Sequence, residues 1–200
     1  MTTFIHLVRH GVHDQLQGRL CGRTPGVTMG PAGLAQAEAV ASRLAGAGVE
    51  TVHASPLERT RQTAEPIARA CGAPLLIEEA LVEIDFGDWN GETFDALAGQ
   101  PLWAEWNADR DRARPPGGET MLEVQARLAR WLGAVSRSGA RAVAAVSHAD
   151  VIKAAVALAL GLSLRFHDRF EIAPGSITTL AAGPEGLRLL SLNEVPPCRT

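Results

Sequence analysis

The spacing of apolar residues along this chain switches repeatedly between a two-residue and a 3.6-residue repeat. Phe4-Ile5-His6-Leu7-Val8 reads as a short buried strand, and the Gly-, Pro- and polar-rich stretch 11–30 as a loop. From Pro31 to about Gly46, Leu34, Ala37, Ala41 and Leu44 recur at helical spacing, with glycine at the end. Thr51–Ala54 predicts a second strand. It runs into Ser55-Pro56-Leu57-Glu58, which reads as a helix start: Ser55 caps the free N–H groups, Pro56 suits the first helical position, and Glu58 completes a capping box. That helix is expected to reach Cys71-Gly72, and Pro74 to Ile77 gives a third strand. A long helix is predicted from about Thr120 to Ser136, with Leu122, Gln125, Leu128, Ala129 and Leu132 on one face. Arg141 to Ser147 is a continuous run of small apolar residues, as a central parallel strand requires. A helix over about Asp150 to Leu160 follows, then strands over Ser176–Ala181 and Leu187–Leu192, separated by Gly183-Pro184.

Parallel strands need helical crossovers, so this alternation predicts an α/β fold: a three-layer α/β/α sandwich around a mostly parallel central sheet. The irregular stretch of about 78–118, rich in Trp and Phe and closed by Pro-Pro-Gly-Gly at 115–118, reads as an insertion that caps the sheet. No repeat, low-complexity tract or linker divides the chain, and 200 residues suit one domain over 1–200.

Composition narrows the partners. With 19 Lys+Arg against 22 Asp+Glu the net charge is −3, and no basic stretch marks a nucleic-acid surface. Lys153 is the single lysine, so the other 18 cations are arginines. Arginine's planar fork suits phosphate, although a GC-rich genome accounts for most of the excess. Cys21, Cys71 and Cys198 are odd in number and far apart, which argues against a disulfide framework and for a reducing compartment. The start lacks a basic signal-peptide region, and the apolar run Val151–Leu164 is too short to span a bilayer. A cytoplasmic protein with no membrane partner is the expectation.

Three strand ends carry polar clusters: Arg9-His10-Gly11, the segment Ser55 to Arg61, and Ser147-His148. In open α/β sheets ligands bind outside the carboxyl ends of the strands. Three separated segments therefore converge Arg9, His10, Arg59 and His148 on one crevice, and Gly11 is expected to allow a sharp turn and close approach of a ligand.

With these blocks the sequence resembles the histidine phosphatase superfamily, in its phosphoglycerate-mutase-like branch. Leu7-Val8-Arg9-His10-Gly11 is similar to the family signature. So are Ser55-Pro56-Leu57-Glu58-Arg59-Thr60-Arg61-Gln62-Thr63-Ala64, the acid-bearing Leu81–Gly91, Gly117-Gly118-Glu119 and Val146-Ser147-His148, in the family's order. The resemblance implies a phosphomonoester hydrolase acting on a small phosphorylated metabolite, with His10 as the nucleophile that becomes phosphohistidine. It implies that Arg9, Arg59 and His148 hold the phosphate oxygens, and that Glu83 is the acid and base at the leaving oxygen. Arg23 and Gly22, in the loop 12–28, are implied contacts to phosphate or the substrate body. No metal or other cofactor is called for.

Departures from the family pattern leave alternatives open. Val12 and Leu16 stand where many relatives carry Glu or Gln and Asn, and Ser147-His148-Ala149-Asp150 replaces Ser-His-Gly-Gly. Substrate identity is therefore not transferable, and a phosphomutase or a weakly catalytic phospholigand-binding domain competes with the phosphatase. Asp85 and Asp88 compete with Glu83 as proton donor. His6, His10 and His13 invite a metal reading, but His6 and His10 on one strand lie about 13 Å apart at about 3.3 Å per residue. Trp89, Trp103 and Trp106 read as packing residues. A homodimer is compatible with the sequence and not specified by it.

Overall fold

The computed structural model describes residues 2–16 and 18–198. One six-stranded sheet runs in the order β3-β2-β4-β1-β5-β6. Its strands are β1 (Thr3–Arg9), β2 (Thr51–Ala54), β3 (Leu75–Ile77), β4 (Ala142–Ser147), β5 (Ile177–Gly183) and β6 (Gly186–Glu194). The β3-β2-β4-β1 half is parallel, whereas β5 and β6 form an antiparallel hairpin beside β1. Helices α1 (Pro31–Leu44) and α2 (Glu58–Cys71) pack on one face. Helices α5 (Met121–Arg137) and α6 (Ala149–Leu160) cover the other, together with the insertion that carries α3 (Phe94–Ala98) and α4 (Pro101–Ala108).

Strand β4 shows why the sequence folds this way. Val143 and Ala145 join the core on the α5/α6 side, and Ala142, Ala144 and Val146 the core on the α1/α2 side. All six residues are buried, so the strand reads as unbroken apolar sequence. The small side chains let helices approach from both faces.

Several local expectations need correction. On α1 the buried stripe is Gly33, Ala37, Val40, Ala41 and Leu44; Leu34 is 45% exposed. On α5 the stripe is Met121, Val124, Leu128, Trp131, Leu132 and Val135; Leu128 and Leu132 lie on it as predicted, whereas Leu122 and Ala129 are exposed and Gln125 is half-buried. The capping box lies at the start of α5, where Thr120 and Glu123 exchange hydrogen bonds. At α2 there is none. The helix begins at Glu58, behind an extended Leu57, and the Ser55 hydroxyl turns instead to His148. The Glu58 carboxylate accepts from the Gly26 N–H at 3.2 Å.

Candidate active site

Strand β1 ends at Arg9 and delivers His10 onto the carboxyl edge of the sheet, with the His10 N–H bonded to the Ser147 carbonyl at the end of β4. The turn that follows is crowded. A Cβ on Gly11 would lie 2.5 Å from the Gly33 carbonyl oxygen, so glycine is required here by α1. That close approach is made by the protein's own backbone, not by a ligand as the sequence suggested. The Gly11 N–H donates to Thr63 Oγ1 of α2 at 3.2 Å, which ties the turn to the second helix.

The His10 ring is buried and its protonation is set locally. Nδ1 lies 2.8 Å from the Gly11 carbonyl, which only accepts, so Nδ1 carries the hydrogen. Nε2 then keeps its lone pair, to which Arg59 Nε donates at 3.3 Å. Burial, followed by the nearby Arg59 and Arg9 cations, holds the His10 pKa well below that of a free imidazole. The ring is a neutral base with its lone-pair nitrogen turned towards the Arg59 guanidinium.

Arg59 enters from the first turn of α2 and is 2% exposed. Its Nη2 donates to the Gly22 carbonyl at 2.7 Å and to His148 Nδ1 at 3.3 Å. Arg9 is held by the Ile172 carbonyl, 2.6 Å from Nη1. Two buried donors are left over: Arg9 Nε and Arg59 Nη1 have no partner. Leaving such groups unmet costs about 1–3 kcal/mol each, more for charged groups. Two orphaned cationic N–H groups beside an unprotonated imidazole nitrogen define a place for an oxyanion.

His148, at the N-cap of α6, is fully buried, with its ring centroid 5.2 Å from that of His10. It accepts from Arg59 at Nδ1, so Nε2 carries the hydrogen and donates to Ser55 Oγ at 2.9 Å. Burial and the Arg59 charge keep this ring neutral as well. Ser55 thus orients a histidine and does not cap a helix.

Arg9, His10, Arg59, Gly22 and Glu83 all line one cavity of about 180 Å³. Glu83 is displaced far from ordinary carboxylate behaviour. Its removal from water, then the negative charge of Asp150, raise its pKa to about 7 against the opposing pull of Arg59, the Ile84 N–H and Arg9. The competing carboxyls are placed elsewhere. Asp85 accepts from the Gly87 N–H and Asn90 Nδ2, which keeps its pKa low, and neither it nor the exposed Asp88 lines the cavity.

Arg23 does not reach the cavity. Its Nε donates to the Glu83 carbonyl at 2.7 Å, and its Nη2 pairs with Glu119 at 2.9 Å, in a cleft behind the site. Glu119 is shared with Arg127, whose other N–H groups hold the Ala80 and Val82 carbonyls. The two arginines therefore fix the backbone that presents Glu83. Gly22 faces the cavity, but its carbonyl positions Arg59; a Cβ there would lie 2.0 Å from Asn90 Oδ1, and its φ is +45°.

Other residues at the cavity escaped the sequence reading as site residues. His13 is 4% exposed with its Nδ1 unpartnered, its ring centroid 5.5 Å from that of His10. Burial, then Arg59 and Arg9, lower its pKa to about 4. Its position three residues after His10 was the available signal. Leu16, Leu20, Phe86 and Phe94 form the apolar part of the wall, and Asp150 stands beside Glu83. Among the described residues no group of three or more His, Cys, Asp or Glu is arranged to hold a metal ion. His6 pairs with Thr179 instead.

Fold and cavity together define an α/β protein with a buried, neutral histidine and two arginines at the carboxyl edge of its sheet. The chain belongs to the histidine phosphatase superfamily (branch 1), whose sequence pattern matches residues 5–195. It is 36% identical to the bifunctional protein Rv2228c of Mycobacterium tuberculosis over 94% of this chain and 54% of that protein. The chain thus spans about half the length of the first curated relatives it matches. It is 27% identical to a putative phosphoserine phosphatase 2 of Hydrogenobacter thermophilus, over 98% of this chain and 97% of the other. Among solved structures, a mycobacterial glucosyl-3-phosphoglycerate phosphatase in complex with VO3 superposes with a TM-score of 0.86, at 27% identity, covering 96% of this chain and 99% of that one.

Proposed function

We propose that this protein hydrolyses phosphomonoesters of small metabolites through a phosphohistidine at His10, with no metal or organic cofactor. The observation that carries this reading is the pairing of an unprotonated His10 Nε2 with the orphaned donors Arg9 Nε and Arg59 Nη1. The phosphatases among its relatives support it.

In this mechanism the phosphate dianion enters against Arg9 and Arg59, and Arg59 Nε releases the nitrogen lone pair. His10 Nε2 attacks phosphorus in line with the ester oxygen, and the P–O bond breaks. The leaving oxygen takes the proton of Glu83, which is half protonated near pH 7. Glu83, now a carboxylate, removes a proton from water; the hydroxide displaces His10 and releases inorganic phosphate. Glu83 ends protonated and His10 neutral, so the cycle closes. Guanidinium donors fixed before reaction lower the barrier because nothing reorganises as charge shifts between oxygens. His148 donates to the same oxygens once the dianion has raised its pKa and added a proton at Nδ1.

Single-turnover reaction with a labelled phosphoester tests the reading. Label is expected first on His10 and then in inorganic phosphate. Label ending on an isomeric ester would establish a phosphomutase, and tight phosphate binding without turnover a phospholigand-binding domain.

We assign the protein to the cytoplasm and to a single folding unit, readings supported by three unpaired cysteines and by cores on both faces of one sheet. Exposed Leu76 and Ile77 on the edge strand β3 support a homodimer.

A further inference from the structure

We propose that Asp150 is the specificity-determining residue of the cavity: a fixed acceptor that selects phosphomonoesters bearing a hydroxyl or ammonium group near the ester and rejects those bearing a carboxylate there. The proposal rests on the phosphomonoesterase reading above. It goes further, to the chemistry of the substrate's carbon skeleton.

Asp150 sits in the first turn of α6, two residues after His148, and lines the cavity with Ala149, Glu83 and Arg9. Its Oδ1 accepts from Arg110 Nη1 at 3.0 Å, with the two side chains 19% and 8% exposed. Arg110 is itself immobilised: its guanidinium lies 4.5 Å from the centre of the buried Trp106 ring, and Nη2 donates to Asn107 Oδ1. Helix α4 of the insertion therefore holds this carboxylate at one angle. Among the described residues no donor reaches Oδ2, and that oxygen is not among the buried unpartnered atoms. Asp150 thus presents an acceptor at the wall of the site, with its own geometry fixed from behind.

The cavity lining carries both signs: the orphaned N–H groups of Arg9 and Arg59, which suit phosphate, and the carboxyls of Glu83 and Asp150. Glu83 is taken up with the ester oxygen, which leaves Asp150 to meet the next polar group along the substrate. At about 180 Å³ the space equals roughly six waters at about 30 Å³ each, enough for a phosphoryl group and a short carbon skeleton. The rest of the wall is Leu16, Leu20, Phe86 and Phe94 together with His13, Cys21 and Arg19, whose guanidinium is held by the Gly91 carbonyl at 2.7 Å; a substrate carboxylate facing Asp150 meets a like charge. A hydroxyl or ammonium group completes the acceptor, and a site built for a donor discriminates strongly against an analogue lacking it.

The test compares kcat/KM for 2-hydroxyethyl, 2-aminoethyl and propyl phosphate, phosphoglycolate and p-nitrophenyl phosphate, in wild type, Asp150→Asn and Asp150→Ala. Asparagine keeps an oxygen for Arg110 and so preserves the fold. Wild type is expected to favour 2-hydroxyethyl over propyl phosphate by about 10-fold or more, as for a hydrogen bond to a charged group. In both variants that ratio should fall to within about threefold, and phosphoglycolate should gain about 10-fold relative to propyl phosphate in Asp150→Asn. If Asp150 only ties the insertion to α6, every ester slows by the same factor and the ratios stay put; that result, or a wild-type preference for phosphoglycolate, overturns the proposal. Failure of the phosphatase reading is distinct, since no ester turns over, p-nitrophenyl phosphate included. The same ratios, measured as Kd by calorimetry, would then still decide the role of Asp150.

Discussion

Among the described residues, two cavities that carry a histidine lie at different edges of the sheet. The larger, about 540 Å³, lies at the amino ends of β2 and β4 and is lined by His53, Trp131, Leu76, Val135 and Val143. The smaller, about 180 Å³, holds His10, Arg9, Arg59 and Glu83. Size favours the first and chemistry the second. In the large cavity the His53 ring accepts from Trp131 Nε1 at 3.2 Å, so its polar group is already answered, and the walls are mostly apolar. In the small one, cationic donors are left without partners and a carboxyl is lifted to about pH 7. Unmet hydrogen bonds and displaced protonation, not volume, separate a reaction site from a packing hollow.

The comparison can be broken at its strongest point. His10→Ala is expected to lower turnover by on the order of 10⁴–10⁶-fold and abolish the phosphoenzyme, read by acid-quench labelling, since His10 Nε2 is the lone pair that Arg59 holds. Next in size, Glu83→Gln should slow alkyl phosphates by about 10²–10⁴-fold while hardly affecting p-nitrophenyl phosphate, whose leaving group needs little protonation. Equal losses on both would move the acid elsewhere. The pH profile follows from the same group. Glu83 must be protonated to act, so kcat/KM for alkyl esters should fall as pH rises through about 7. His10, held neutral well below 6.5, contributes no loss on the mildly acidic side.

Smaller effects come from the clamp and then from the other cavity. Arg59→Lys keeps a charge but loses the fork, and should cost about 10²–10³-fold in kcat. Inorganic phosphate at a hundred times its Kd should raise the wild-type Tm by about 5–10 °C, and the variant much less. At the bottom of the scale, His53→Ala should leave kcat/KM within about twofold, because any loss of the Trp131 bond is a matter of about 1 kcal/mol of stability. A large kinetic loss there would erase the distinction between the cavities.

Sequence carried the sheet and the residues gathered at its carboxyl edge better than the side-chain faces. The α/β layering and the mostly parallel sheet followed from alternation, and the convergence of Arg9, His10, Arg59 and His148 from the rule that ligands gather at strand ends; the strand order did not. The faces of α1 and α5 were right at Ala37, Ala41, Leu44, Leu128 and Leu132 and wrong at their starts, where Gly33 and Met121 are buried and a window that weights large apolar residues favours Leu34 and Leu122. Ser55 was assigned by local chemistry, which fits a cap; its actual partner, His148, is 93 residues away. Arg23 was misplaced for a similar reason. Its loop does border the cavity, but Glu119, far along the chain, draws the guanidinium to the other side. Long-range pairings of polar side chains are not written in any period.

Strand β1 has a consequence for how the protein comes off the ribosome. It lies between β4 and β5, so both its neighbours come from chain made more than 130 residues later. Arg9 is gripped by the Ile172 carbonyl, and its backbone by Ser176 and Gly175. A nascent chain that has reached α6 would hold His10, Glu83 and Arg59 but leave Arg9 without its anchor. Competence for phosphate therefore arrives late in synthesis, when the segment leading into the β5–β6 hairpin docks, and contacts of such long sequence separation make that docking slow.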